Sequence, residues 1–164
     1  MKKFILFVAV CAVMFGCKKP PAPTNNPIFS VKYQSEADGE LVPMTNGQTI
    51  IFDEYINEEL LGGDLFDFRG YIYSEESFDL VVTVTRETVP ENSTDQFCIL
   101  NCVTGNGMQT QDFTDYLTAD ETLFYGHFVP EQNVASESVV WYDFHEAGKP
   151  DAKIKVKVIY RYNP

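Results

Sequence analysis

The chain has 164 residues, 45% of them hydrophobic and 14% aromatic, and carries 24 acidic against 12 basic side chains for a formal charge of −12. That balance disfavours nucleic-acid binding, because contact with phosphates needs clustered Lys and Arg. The length suits one domain behind a leader, large enough to bury roughly two thirds of its unfolded surface and to fold without a cofactor.

Met1-Lys2-Lys3 opens the chain, residues 4–15 form an unbroken apolar run, and Gly16-Cys17 closes it. A positive start, a short apolar core and a small residue at the cut describe a secretory signal. The run is shorter than the roughly 20 residues that a bilayer span needs. A cysteine directly after the small residue resembles the bacterial lipoprotein signal, although Met14 and Phe15 are bulkier than the usual residues there. That resemblance implies removal of residues 1–16 and acylation of Cys17, which becomes the first mature residue. The competing reading is an ordinary signal peptide with a fortuitous cysteine. Two or more acyl chains hold durably where one is marginal, so such a lipid would anchor the protein to a membrane. Cleavage also removes Lys2 and Lys3, taking the formal charge from −12 to −14.

Residues 17–27 read as a tether. The stretch KKPPAPTNNP has four prolines and no large apolar residue, so it cannot pack a core and favours extended conformations. Lys18 and Lys19 would lie beside the headgroups. Residues 28–164 then read as one domain.

Within that domain the dominant pattern is alternation with period two. Early strand candidates are residues 29–33, 49–55 and 65–73. Phe78, Leu80, Val82 and Val84 alternate with Asp79, Val81, Thr83 and Thr85, as in a half-buried strand. Phe124 and Phe128 flank Gly126 in another. Val140, Tyr142 and Phe144 alternate with Trp141, Asp143 and His145. Ile154, Val156, Val158 and Tyr160 alternate with a basic set, Lys153, Lys155, Lys157 and Arg161. Asp38-Gly39, Asn46-Gly47, Gly62-Gly63-Asp64, Gly105-Asn106-Gly107 and residues 148–151 supply turns. Residues 54–61 are the best helical candidate, about two turns, and 114–121 could hold one turn. Short strands divided by turns predict an all-β, immunoglobulin-like antiparallel β-sandwich of about seven or eight strands.

Cys11 would leave with the signal and Cys17 would take the lipid, so Cys98 and Cys102 remain. In an oxidising compartment two cysteines this close are expected to form a disulfide, a local staple worth about 2 kcal/mol in the chain-entropy model. A redox centre would want C-x-x-C before a helix, and a metal site would want two further ligands nearby.

The second half of the chain resembles an immunoglobulin-like module of exported proteins and lipoproteins of the Bacteroidetes. The matching positions are Phe97, Cys98 and Cys102; His127, Phe128 and Pro130; Tyr142 and Phe144; Pro150 and Asp151; and the run 154–160. The resemblance covers roughly residues 78–162. It implies a sandwich, an extracytoplasmic address and an adhesion-like role, and it brings no catalytic residues. The chain departs from the pattern in the Ile-Leu-Asn between its cysteines and in lacking an acidic run after Cys17, where surface-exported relatives often have one.

No G-x-S-x-G elbow or phosphate-binding glycine loop occurs, no D-x-D-x-D-G calcium loop is present, and only two histidines exist. His127 and His145 could reach a metal only with a third ligand such as Asp143 or Glu146. No enzyme activity, cofactor or metal is therefore expected. The candidate contact residues are Trp141, Tyr125, His127 and His145. They are candidates because they oppose core-type positions on their strands, and an outward Trp-Tyr platform could stack on sugars or grip a protein. The alternative for Trp141 is a place inside a strand buried on both faces. The loop 101–110 is a second candidate surface. The expected function is a lipid-anchored extracytoplasmic binding or adhesion module contacting a protein or a glycan. The protein would sit in the outer membrane, on the cell surface or the periplasmic leaflet. The alternative is a structural accessory lipoprotein of an envelope complex.

Overall fold

The computed structural model describes residues 26–34, 39–58 and 63–164. The signal segment, Cys17 and nearly all of the tether lie outside the described residues. The twelve strands are β1 (Phe29–Gln34), β2 (Leu41–Pro43), β3 (Thr49–Phe52), β4 (Ile56–Glu58), β5 (Gly63–Ser74), β6 (Phe78–Thr88), β7 (Thr94–Cys98), β8 (Cys102–Gly105), β9 (Thr110–Leu117), β10 (Asp120–Val129), β11 (Ser136–Glu146) and β12 (Lys153–Tyr162). No helix occurs among the described residues.

The strands form two sheets. The first runs β2-β1-β5-β10-β7-β8, with β4 also paired to β5, and the second runs β3-β12-β11-β6-β9. All pairings are antiparallel except β3 with β12, which is parallel. Alternation explains the packing. Phe66, Phe68 and Ile72 of β5, and Phe124 and Phe128 of β10, face Leu80, Val82, Val84, Tyr142, Phe144, Val156 and Val158 of the other sheet. Burying each such side chain contributes roughly 1.5–3 kcal/mol. Gly126 leaves the gap that the core aromatics fill. A Cβ there would meet Phe68 at 3.3 Å and Phe97 at 3.4 Å. The rings of Phe97 and Tyr142 lie 4.7 Å apart beside it. The buried Tyr142 and Tyr160 hydroxyls satisfy each other at 3.3 Å, and burial pushes both phenols well above their usual range.

The all-β, immunoglobulin-like sandwich is as the sequence predicts, but with twelve strands among the described residues rather than seven or eight. The additional ones are short or polar. β2 and β4 have three residues each, too few to show a period. β9 alternates only weakly because Gln111 and Asp115 occupy inward positions and Tyr116 an outward one. Both helical expectations are corrected. Residues 56–58 pair with 63–65 as β4, and the rest of 54–61 is coil or outside the described residues. Residues 114–117 complete β9, and Asp120, with φ of 139°, turns the chain into β10. A short apolar-polar run does not distinguish one helical turn from a strand end, and the partner strand settled the matter here. A register shift at Val139/Val140 buries both valines and lets β11 stay paired with β6.

Candidate functional site

The pleat sends every second residue of β5 and β10 to the outer face of the first sheet. On β5 these are Asp67, Arg69, Tyr71 and Tyr73, and on β10 Glu121, Leu123, Tyr125 and His127. Tyr71 stands opposite Leu123, Arg69 opposite Tyr125, and Asp67 opposite His127. Tyr73 keeps 47% of its surface exposed and Leu123 keeps 48%, while Tyr71 and Tyr125 are half-buried. Tyr125 and His127 have ring centroids 5.2 Å apart. The outcome is a continuous strip of three tyrosines, a leucine and a histidine across two central strands.

Charge at the Asp67 end of this strip is cancelled from within, while Glu121 stands exposed opposite Tyr73 at the other end. Arg69 pairs with Asp67. His127 Nε2 lies 3.5 Å from the other oxygen of that carboxylate, Oδ1, which is buried and accepts no hydrogen bond from the described residues. Burial first, and the Arg69 guanidinium second, hold His127 below the ordinary histidine range, so its ring is neutral near pH 7. Beyond β10, Tyr125 faces the disulfide hairpin. Cys98 and Cys102 are bonded, and the Tyr125 hydroxyl lies 4.0 Å from Cys102 Sγ. Asp115 of β9, itself 2% exposed, holds the hairpin loop by accepting from the backbone of Leu100 and Asn101 and from the Asn101 amide.

At the Val129 end the face sinks into a half-open hollow of about 200 Å³. Thr94, Asp95, Gln96, Thr104 and His127 form its polar walls, and Leu65 and Val129 line it with hydrocarbon. Gln96 and Thr104 stand opposite each other on β7 and β8, 3.5 Å apart.

The four sequence-derived candidates do not share a surface. Tyr125 and His127 lie on the strip just described. Trp141 and His145 lie on β11, on the outer face of the second sheet, so the sandwich separates the two pairs and no joint Trp-Tyr platform forms. Nor can the two histidines share one metal ion across the sandwich. Trp141 is outward and half-buried rather than in the core, and it is already engaged. Its indole N–H donates to Glu87 at 2.6 Å, and Lys155 and Lys157 sit 5.2 and 5.3 Å from its ring centroid. His145 lies 3.5 Å from Asp143, which Lys153 also pairs at 3.0 Å. The residues that sequence reasoning missed are Arg69, Tyr71, Tyr73 and Leu123. Their signal was present in the parity of 65–73 and, for Leu123, of 123–128, where each opposes a core position.

Two sheets packed over a shared aromatic core define an immunoglobulin-like β-sandwich. No protein-family model matches the chain, and no curated protein matches it. Among solved structures it is similar to the N-terminal domain of PorA, with a TM-score of 0.54 and 14% identity over 81% of this chain and 97% of that one. It aligns more distantly with the ASH/PapD-like domain 7 of human CEP192, at TM-score 0.41 and 8% identity over 98% and 95%. A third alignment, with AvmM, described as catalysing macrocyclization in alchivemycin A biosynthesis, has TM-score 0.32 and 6% identity over 85% and 92%. The PorA likeness is one of fold alone.

Proposed function

We propose that the chain is a non-catalytic binding module, held outside the cytoplasm on the outer membrane by lipid on Cys17. It contacts a protein or a glycan through the outer face of its first sheet. The observation that carries this reading is the strip of Tyr73, Tyr71, Leu123 and Tyr125. Its two most exposed members, Tyr73 and Leu123, keep nearly half their surface in water. Contiguous exposed apolar surface rimmed by polar groups marks interaction sites, and Tyr and Arg are the residues that anchor them. Residues 28–164 hold all 24 acids and eight of the 12 bases, a balance of −16, which disfavours a nucleic-acid partner.

The test uses the full chain expressed in its own cells. Mass spectrometry of the mature N-terminus should find Cys17 acylated, and an unmodified Cys17 would overturn the anchoring. Protease shaving of intact cells would separate cell surface from periplasmic leaflet. Cross-linking to envelope components should weaken at least tenfold when Tyr71 and Tyr73 are both changed to Ala and stay unchanged for Trp141→Phe. A stoichiometric envelope partner that survives loss of the tyrosines would favour the structural accessory role instead.

A further inference from the structure

The hollow beside His127 has a chemistry of its own. Its polar walls are two hydroxyls, an amide, a neutral imidazole and a carboxylate, from Thr94, Thr104, Gln96, His127 and Asp95. The hydroxyls and the amide can each donate and accept, and the imidazole has one nitrogen of each kind. Leu65 and Val129 supply hydrocarbon between them. Its charges are paired off, Asp95 with the buried Arg86 and the adjacent Asp67 with Arg69. A cationic or anionic ligand group therefore finds no opposite charge free to meet it, whereas a neutral group rich in hydroxyls finds both donors and acceptors. At about 200 Å³ the space is smaller than the roughly 300–1,000 Å³ of sites for drug-sized molecules. It fits one ring rather than a chain.

The hollow also opens onto the aromatic strip. His127 lines it, the tilted Tyr125 ring lies 5.2 Å from His127, and Leu123, Tyr71 and Tyr73 continue away from it. Residues two apart on one strand are about 6.5–7 Å apart, so the strip offers successive flat, amphipathic surfaces to an extended chain of rings. His127 Nε2 faces Asp67, which leaves Nδ1 to meet a ligand. Taking the outer face of the first sheet as the contact surface, as proposed above, we infer that this hollow is a subsite for one terminal sugar of a neutral glycan. The following sugars lie along Tyr125, Leu123 and Tyr71.

The experiment titrates the full chain with neutral monosaccharides (glucose, galactose, mannose, N-acetylglucosamine) and with their short oligomers. Glucuronic acid and glucosamine serve as charged counterparts. Binding is read by saturation-transfer NMR and calorimetry. One or more neutral sugars should bind, with oligomers tighter than monomers and charged counterparts weaker. The double change Gln96→Ala with Thr104→Val should weaken binding at least tenfold, Tyr73→Ala only a few-fold, and Trp141→Phe not at all, with circular dichroism and melting unchanged. No binding of any neutral sugar at millimolar concentration overturns the subsite, as does binding that ignores Gln96 and Thr104. If sugars fail but a protein partner is captured in a tyrosine-dependent way, the contact surface stands and the glycan subsite falls. If the tyrosine changes affect neither, both fall.

Discussion

Arg86 of β6 and Asp95 of β7 form an ion pair inside the sandwich, Nε to Oδ1 at 2.5 Å, with 0% and 2% of the side chains exposed. The pair joins the two sheets across their closing turn, and Gln111 takes a second guanidinium nitrogen at 2.6 Å. Arg86 Nη2 and Asp95 Oδ2 have no hydrogen-bond partner among the described residues. Desolvation raises the Asp95 carboxyl above its ordinary value even against the pull of Arg86. Removing one partner strands a buried charge, so Asp95→Ala should cost about 3–5 kcal/mol. Replacing both, as Arg86→Met with Asp95→Leu, should restore most of that loss, because two desolvated charges repay little beyond hydrophobic packing. Urea midpoints of the three variants decide it. A double variant no better than the single one would show that the pair is a net stabiliser.

Tyr162 ties the end of β12 to the first sheet by donating its hydroxyl to Asp64 Oδ2 at 2.6 Å, and Asn57 donates to the other oxygen. These two donors hold the Asp64 carboxyl below its ordinary 3.8, Tyr162 first. A depressed folded value means that the unfolded chain takes the proton first. The stabilisation is therefore complete above 3.8 and disappears as pH falls through the lower, folded value. Tyr162→Phe should unfold at lower urea than the parent at pH 6. The pH-dependent part of that gap should narrow as pH drops well below 3.8. A gap independent of pH would assign the loss to packing alone.

The β7–β8 hairpin is held twice, by the Cys98–Cys102 bond and by Asp115. Cys98→Ser with Cys102→Ser should cost about 2 kcal/mol in the chain-entropy model. Asp115→Ala removes the charged acceptor of two backbone N–H groups and the Asn101 amide and should cost about 1–3 kcal/mol. Both devices order the same three residues, so the combined variant should depart from additivity by at least about 0.5 kcal/mol in a denaturation cycle. Strict additivity would mean that the two act on separate states.

Gly70 of β5 stands opposite Tyr33 of β1 in the antiparallel ladder. An added Cβ would collide with the Lys32 carbonyl, and would come within 2.7 Å of Phe124 and 2.8 Å of the Tyr33 Cα. Backbone cannot step aside as a side-chain tip can. Gly70→Ala should cost about 3 kcal/mol. Gly107, with nothing within 4 Å of its Cβ position, should tolerate alanine within about 0.5 kcal/mol. Thermal melts of the pair test the contrast.

Much of the architecture was legible in the residues themselves. The alternation in 78–85, 140–145 and 153–161 determined three long strands and their core sides, because a pleated strand sends successive side chains to opposite faces. The same parity marked Tyr125 and His127 as opposite to Phe124 and Phe128, and the spacing of Cys98 and Cys102 pointed to their bond. Only the tertiary structure decided which outward residues meet. Tyr125 and Trp141 look alike in sequence, each a lone aromatic opposite core positions. Yet β10 belongs to one sheet and β11 to the other, so their outward faces point away from each other. Strand order is a long-range property, set by which hydrophobic faces close on which. For that reason Tyr71 and Tyr73, about fifty residues before Leu123 and Tyr125, become their neighbours, and Trp141, sixteen residues after Tyr125, does not.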